Sequence, residues 1–459
     1  MSLIKKYFKN YNGPGGVKEL LVIALPMMIS TACDGVMIFT GRFFMAQLGS
    51  EQMNAVLGGG ITMQTITAFF LGLTGYSTAL VARYFGAGEK HKSPIVTTQT
   101  IIIIFLAWPL IILLRPVAED AFRLMGISAV QLAYQVEYVH YLAIGSICGM
   151  LRYALGCYFS GIGRTRIVMI ATFVAMITNI FFDYVLIFGK FGFPALGISG
   201  AAIGTIVASF CAVLVLLAAY FSKTNMREFA ILRSFRFNWQ IMKNLLHFGY
   251  PAGLEFFLNF LAFTIITGIL HSQGDIAATA TSIMYSWDLV SYIPLLGIEI
   301  SVTSLVGRYM GARNIEAASQ AAYSGIKTGI LYSFVILVLF IGIPETLVYV
   351  FEPENPSEIF NQAVPIAVHM VRITSFYVLA EALMVALIGT LRGAGDTFFT
   401  MVASVASHVI LIPILYVALK IFNFSIETGW ALLVVCFLLF CVVLAWRYKQ
   451  GKWKTIEIN

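Results

Sequence analysis

Apolar runs, each long enough to cross a bilayer, follow one another along the whole chain, and polar positions gather in the intervals between them. A helix needs about 20 such residues to cross a hydrocarbon layer roughly 30 Å thick. The pattern therefore predicts an all-α polytopic membrane protein. Twelve spans are predicted, at 20–44, 55–82, 95–114, 129–158, 167–188, 199–221, 245–270, 279–306, 322–343, 364–390, 398–419 and 428–446.

Composition agrees with this reading. Of 459 residues, 59% are hydrophobic and only 11% charged, where a soluble protein carries about a quarter charged residues. The net charge of +7 is distributed by topology. One set of alternate intervals, which includes both ends of the chain, holds 21 of the 29 Lys and Arg. Basic residues near span ends stay cytoplasmic, so both termini are predicted cytoplasmic, in a multi-pass protein of the cell inner (plasma) membrane. The basic N-terminal stretch leads straight into a full-length span, so no removable signal peptide is expected. Six cysteines lie within or beside spans without metal-ligand spacing and read as small apolar residues.

The chain also repeats itself. "KELLVIALP" (18–26) matches "KNLLHFGYP" (243–251), and "LVARYFGAG" (80–88) matches "LVGRYMGAR" (305–313), both at an offset of 225. "GIGRT" (161–165) matches "GAGDT" (393–397) at an offset of 232. Ordered matches of this kind mark a duplication. Six spans per half return the chain to its starting side, so the halves are related by a pseudo-twofold axis along the membrane normal, a known transporter plan. The expected units are a six-helix lobe at 1–221, a cytoplasmic loop at 222–244 and a second lobe at 245–459.

Ionisable residues inside spans are candidate functional groups by default. Seven acids qualify: Asp34, Glu137, Asp183, Glu255, Asp288, Glu299 and Glu381. Asn179 and Asp183 are four residues apart and share a helix face. Together they offer oxygen ligands to a small cation, or one carboxylate for a proton. By helical rise, Asp34 lies about 24 Å past Lys18 and Asp183 about 26 Å past Arg166, at matching depth. Glu255 and Glu381 each fall about 17–18 Å from the nearest cytoplasmic basic residue, and are expected to line one midplane cavity. Asp288 is read as a deeper substrate contact or a structural group, and Glu137 as a surface acid. Among the few intramembrane bases, Arg152 and Arg372 keep an anion-binding role open. The acids outnumber them, so the interior favours cations. Aromatic residues and Met lining a cavity would suit lipophilic cations.

No P-loop, HExxH, GxSxG or paired CxxC is present, which argues against an ATP-driven pump or an enzyme. The basic balance does not point to nucleic acid.

Three stretches carry a family resemblance: "NIFFDYVLIFGKFGFPALGISGAAIGT" (179–205), "LIGTLRGAGDT" (387–397) and the Pro-bearing first and seventh spans. In these the chain resembles the MATE family, the multidrug and toxic compound extrusion transporters. The resemblance implies two lobes opening alternately, with organic cations exported against an inward flow of sodium ions or protons and no other cofactor. It places Asn179, Asp183 and Thr205 on the family's cation site and Glu381 on its span-ten acid. Two positions depart. The aspartate usually found fifteen residues after the first-span proline is Gly41 here, and the acid instead stands at Asp34. A glutamate found in some members eight residues after the seventh-span proline is Asn259 here, with Glu255 one turn earlier. The expected cation-coupling set is thus Asp34, Asn179, Asp183 and Thr205, with sodium possible between Asp34, Asn179 and Asp183. The expected substrate set is Glu255, Asn259, Asp288 and Glu381. The expected partners are small organic cations and the lipid bilayer, and the expected state is a monomer. The alternative is a lipid-linked saccharide flippase of the same superfamily.

Overall fold

The computed structural model describes residues 11–124, 128–352 and 358–457, and nearly all of them are helical. Twelve helices are long and apolar enough to cross a membrane. They are α1 (Val17–Ala46), α2 (Glu51–Gly86), α3 (Lys92–Arg123), α4 (Ala129–Gly161), α5 (Thr165–Phe188) and α6 (Ile198–Tyr220) in the first half. The second half holds α7 (Trp239–His271), α8 (Asp275–Gly311), α9 (Ile315–Gly342), α10 (Glu358–Ala394), α11 (Thr397–Ile421) and α12 (Ile426–Gln450). Each predicted span falls on one helix to within a residue. Four helices start on a side-chain cap: Ser128, Asn238, Asn314 and Ser425 each accept a backbone N–H of the first turn. Pro26, Pro251, Pro294 and Pro365 sit inside helices, where neighbouring helices exclude water and take up the distortion.

The duplication is visible in the packing. Within the halves α1 packs on α5 as α7 packs on α11, α2 on α4 as α8 on α10, and α4 on α6 as α10 on α12. Between them α1 meets α8 as α7 meets α2. Leu20, Ile23 and Ala24 of α1 join Leu295, Ile298 and Val302 of α8 in one buried cluster. The helices approach so closely that a Cβ on Gly297 would stand 2.6 Å from the Met28 nitrogen. Small residues at such seams let helix backbones pack closely where no hydrophobic force drives association.

This seam runs from the end that carries the termini to the middle of the helices. There Thr31 donates its hydroxyl to the Ile293 carbonyl at 3.1 Å. Further along, Phe39, Phe43, Leu289 and Val290 are exposed on α1 and α8. The α1–α8 seam is thus closely packed from the termini end as far as the level of Thr31 and Ile293, and these four side chains beyond it are not covered by the opposite helix.

Candidate functional site

The first half buries one carboxylate among small residues. Asp183 on α5 is 2% exposed, and the Asn179 amide one turn earlier donates to its Oδ1 at 3.2 Å. On α6, a Cβ on Gly204 would stand 2.1 Å from Asp183 Oδ1. On α1, a Cβ on Gly41 would stand 3.7 Å from its Oδ2. No Lys or Arg forms an ion pair with Asp183 among the described residues. Helix periodicity explains the pair: four residues turn the chain about once, so Asn179 and Asp183 both face α6 and α1.

Two expected members of this set lie elsewhere. Thr205 is exposed on α6 and its hydroxyl donates back to the Ala201 carbonyl at 3.0 Å. Its neighbour Gly204 takes the place against Asp183, because one residue turns a helix by 100°. Asp34 accepts from the Arg152 guanidinium of α4 at 2.9 Å, and both groups are partly exposed. The expected Asp34–Asp183 pairing is thus replaced by an ion pair. Depth along a helix carried no information on direction, and a base on α4 satisfied Asp34 first. The position that does face Asp183 from α1 is Gly41, which has no side chain to offer.

The second half holds two polar clusters. In the first, Arg392 on α10 pairs with Glu255 of α7 at 3.2 Å and with Glu299 of α8 at 2.5 Å. The Thr400 hydroxyl of α11 donates to the other Glu255 oxygen at 3.0 Å. One guanidinium therefore faces two carboxylates, all largely out of water. In the second, Tyr377 donates to Glu381 one turn later on α10 at 3.1 Å, and the second Glu381 oxygen has no hydrogen-bond partner. Asp288 of α8 lies close enough for its charge to act on Glu381. A cavity of about 90 Å³ adjoins this cluster, walled by Asp288, Tyr285, Tyr377, His408 and Trp430.

Glu255 and Glu381 are accordingly not partners in one cavity. Glu255 belongs to the Arg392 pair and Glu381 to the Tyr377–Asp288 group, with Tyr292 within electrostatic reach of Glu299, Glu381 and Asp288. Asn259 accepts from Ser404 of α11 at 2.8 Å. Glu137 is exposed and accepts the hydroxyl of Ser199. Sequence reasoning took Arg392 only as a marker of the helix end. Its long side chain reaches inward, and the signal available was three acids without a nearby base. Tyr153, next to Arg152 on α4, lies within electrostatic reach of Arg392 and Glu299 of the opposite half.

Twelve membrane-spanning helices in two matching sets, with buried carboxylates in each, define the class of a helical membrane transporter. The chain belongs to the MatE family, whose model matches residues 26–185 and again 251–417. The two matches begin 225 and end 232 residues apart, the offsets of the internal repeat. Curated relatives include the probable multidrug resistance protein NorM of Thermotoga maritima, 25% identical over 99% of this chain and 96% of that protein. Another is the multidrug resistance protein MdtK of Photorhabdus laumondii, 25% identical over 86% of this chain and 84% of that protein. A solved outward-facing conformation of a multidrug resistance MATE family transporter of the MOP superfamily shares the fold, with a TM-score of 0.87 at 19% identity over 99% of both chains.

Proposed function

We propose that this protein is a secondary active antiporter that exports organic cations and returns protons through Asp183. The observation that carries the proposal is the buried carboxylate of Asp183, which accepts from one amide, packs close to Gly41 and Gly204, and has Tyr138 of α4 within electrostatic reach. A sodium ion needs several oxygen ligands, and at the closest approaches of α1 and α6 the residues are glycines, which offer no side-chain oxygen. A proton needs one carboxylate oxygen, so this geometry supports a proton. Buried charge is tolerated when binding neutralises it, and a site neutral in one step and charged in the next biases a two-state equilibrium.

Cationic substrates suit the second half, where Glu255 and Glu299 share the guanidinium of Arg392 and Asp288 and Glu381 form a further acidic group without an ion-pair partner among the described residues. The aromatic walls around Asp288 add faces for lipophilic cations. The same excess of acids disfavours the flippase, which would require a basic cavity. The two halves act as lobes joined by 222–244, with the packed termini end cytoplasmic and the other end outward. The names of the relatives, multidrug resistance proteins, support export of this kind.

The test is efflux of a fluorescent organic cation from proteoliposomes, with proton and sodium gradients imposed separately. Efflux driven by the proton gradient, and lost in Asp183→Asn, is expected. Efflux driven by sodium alone would overturn the proton assignment.

A further inference from the structure

The repeated sequence pieces meet one another in space. Arg83, Tyr84 and Gly86 at the end of α2 correspond to Arg308, Tyr309 and Gly311 at the end of α8. These two ends cross backbone to backbone. A Cβ on Gly86 would fall 1.8 Å from the Arg308 carbonyl oxygen, and one on Gly311 would fall 1.9 Å from the Arg83 carbonyl oxygen. The contact is reciprocal, as around a local twofold axis.

The side chains reciprocate as well. In one direction Arg308 pairs with Glu19 at 3.4 Å and Tyr309 donates to Glu19 at 2.6 Å, at the start of α1. In the other, Tyr84 is hydrogen-bonded to Asn244 at the start of α7, the residue that corresponds to Glu19. The Arg308 guanidinium lies 2.3 Å from where a Cβ on Gly163 would stand, in the "GIGRT" loop. Arg83 donates to the Ala394 carbonyl at 3.4 Å in the matching "GAGDT" loop, and to Ile456 of the C-terminal tail at 2.7 Å. Between the two crossings Ser304 donates to the Ser160 carbonyl at 2.7 Å. Neither Asp183 nor the Arg392 cluster uses any of these groups.

We infer that this interlocked crossing is the gate at the termini end, and that its release is the step by which the transporter opens on that side. The inference rests on the alternating-access reading above. Apart from Thr31 to Ile293, the polar bonds named above that join the halves lie at this crossing, and at the helix ends water can replace each partner as the halves separate. Backbones in van der Waals contact cannot slide by degrees, so the crossing has two discrete arrangements, packed and parted. Gly86 and Gly311 are needed because any side chain would hold the helices apart. The exchange of Glu19 for Asn244 makes the crossing unequal: Arg308 has a carboxylate partner across it, at the position where the other copy has an amide.

A disulfide across the crossing tests this. A Cβ on Gly307 would stand 3.3 Å from the Ala82 Cβ, near the spacing found in disulfides, and 2.9 Å from the Ala79 carbonyl, which must yield slightly. Ala82→Cys with Gly307→Cys is placed in a parent whose six native cysteines are replaced, and reconstituted. Efflux of the fluorescent cation is expected in the reduced protein, falling on oxidation to the rate of protein-free vesicles and returning with reductant. Unchanged efflux in fully crosslinked protein would overturn the gate and leave the transport reading standing. A cysteine-free parent that moves no cation under any gradient would instead overturn the transport reading. Independently of transport, Ser304→Cys reports opening, since Ser304 is buried in the closed crossing. Adding Glu19→Gln should raise its labelling by an impermeant maleimide, applied from the termini side, several-fold. Equal labelling rates with and without Glu19→Gln would also refute the gate.

Discussion

Gly204→Ala puts one methyl group into the contact that defines the Asp183 site. The added Cβ would lie 2.1 Å from Asp183 Oδ1, 3.1 Å from the Asp183 nitrogen and 3.2 Å from its Cγ. Comfortable non-bonded separation is about 3.5 Å, so the carboxylate must move by about 1.4 Å or α5 and α6 must separate. Overpacking of this size costs about 1–3 kcal/mol, while alanine in place of a helical glycine returns about 1 kcal/mol. The net effect on stability is small, but the moved carboxylate loses its bond from Asn179. Strain of about 1–3 kcal/mol confined to one conformational state shifts its population roughly 5–150-fold. Proton-driven efflux should fall by a factor in that range while the protein still purifies as a folded species. Gly60→Ala is the control: it also lies within a helix, but its Cβ would meet nothing within 4 Å, so only the favourable propensity term remains. Efflux at the parent rate in Gly204→Ala, with the Gly60 control also unaffected, would refute the claim that Asp183 works from this packed position.

Exchanging the partners in Asp34→Arg with Arg152→Asp should recover activity lost in either single variant, measured by the same efflux assay, because the pair at 2.9 Å is satisfied in both orders. Arg392→Gln leaves Glu255 and Glu299 facing each other without their base and should cost about 3–5 kcal/mol, read as earlier thermal unfolding in detergent, with Glu299→Gln in the same chain restoring part of it. Glu228 lies in the short helix Lys223–Phe229, outside the membrane spans, and its hydrogen bond from Lys90, with Arg164 beside it, holds its carboxyl below the usual glutamate value. Its contribution to docking that helix is complete above the ordinary carboxylate range and is lost as pH falls through the lowered value. The hydrogen-exchange protection of residues 223–229, taken relative to the intrinsic rate at each pH, should therefore fall on acidification, and Glu228→Gln should show low protection at neutral pH as well. Glu51→Cys, exposed at the end away from the termini, should label from outside intact cells; labelling only after permeabilisation would reverse the orientation. A companion site at Glu354 lies outside the described residues.

The sequence alone determined what depends on local periodicity and on the solvent. Lipid requires every backbone polar group to be satisfied within its own helix, so apolar runs of sufficient length can only be spanning helices, and all twelve could be counted from the chain. The duplication was equally plain in "RY" and Gly repeated at an offset of 225, and it implied that the two halves pack alike, though not which helices pair. Asn179 and Asp183 were legible as one face because four residues bring a helix back to the same side. The tertiary structure decided which helix each polar group would meet. Depth along a helix says how far a side chain lies from the surface but nothing about the direction in which it points. So Asp34 went to Arg152, Glu255 to Arg392, and Gly204 rather than Thr205 to Asp183. The crossing of Gly86 and Gly311 was likewise invisible in the repeat itself, because contact between its two copies depends on how the halves dock and not on how either is written.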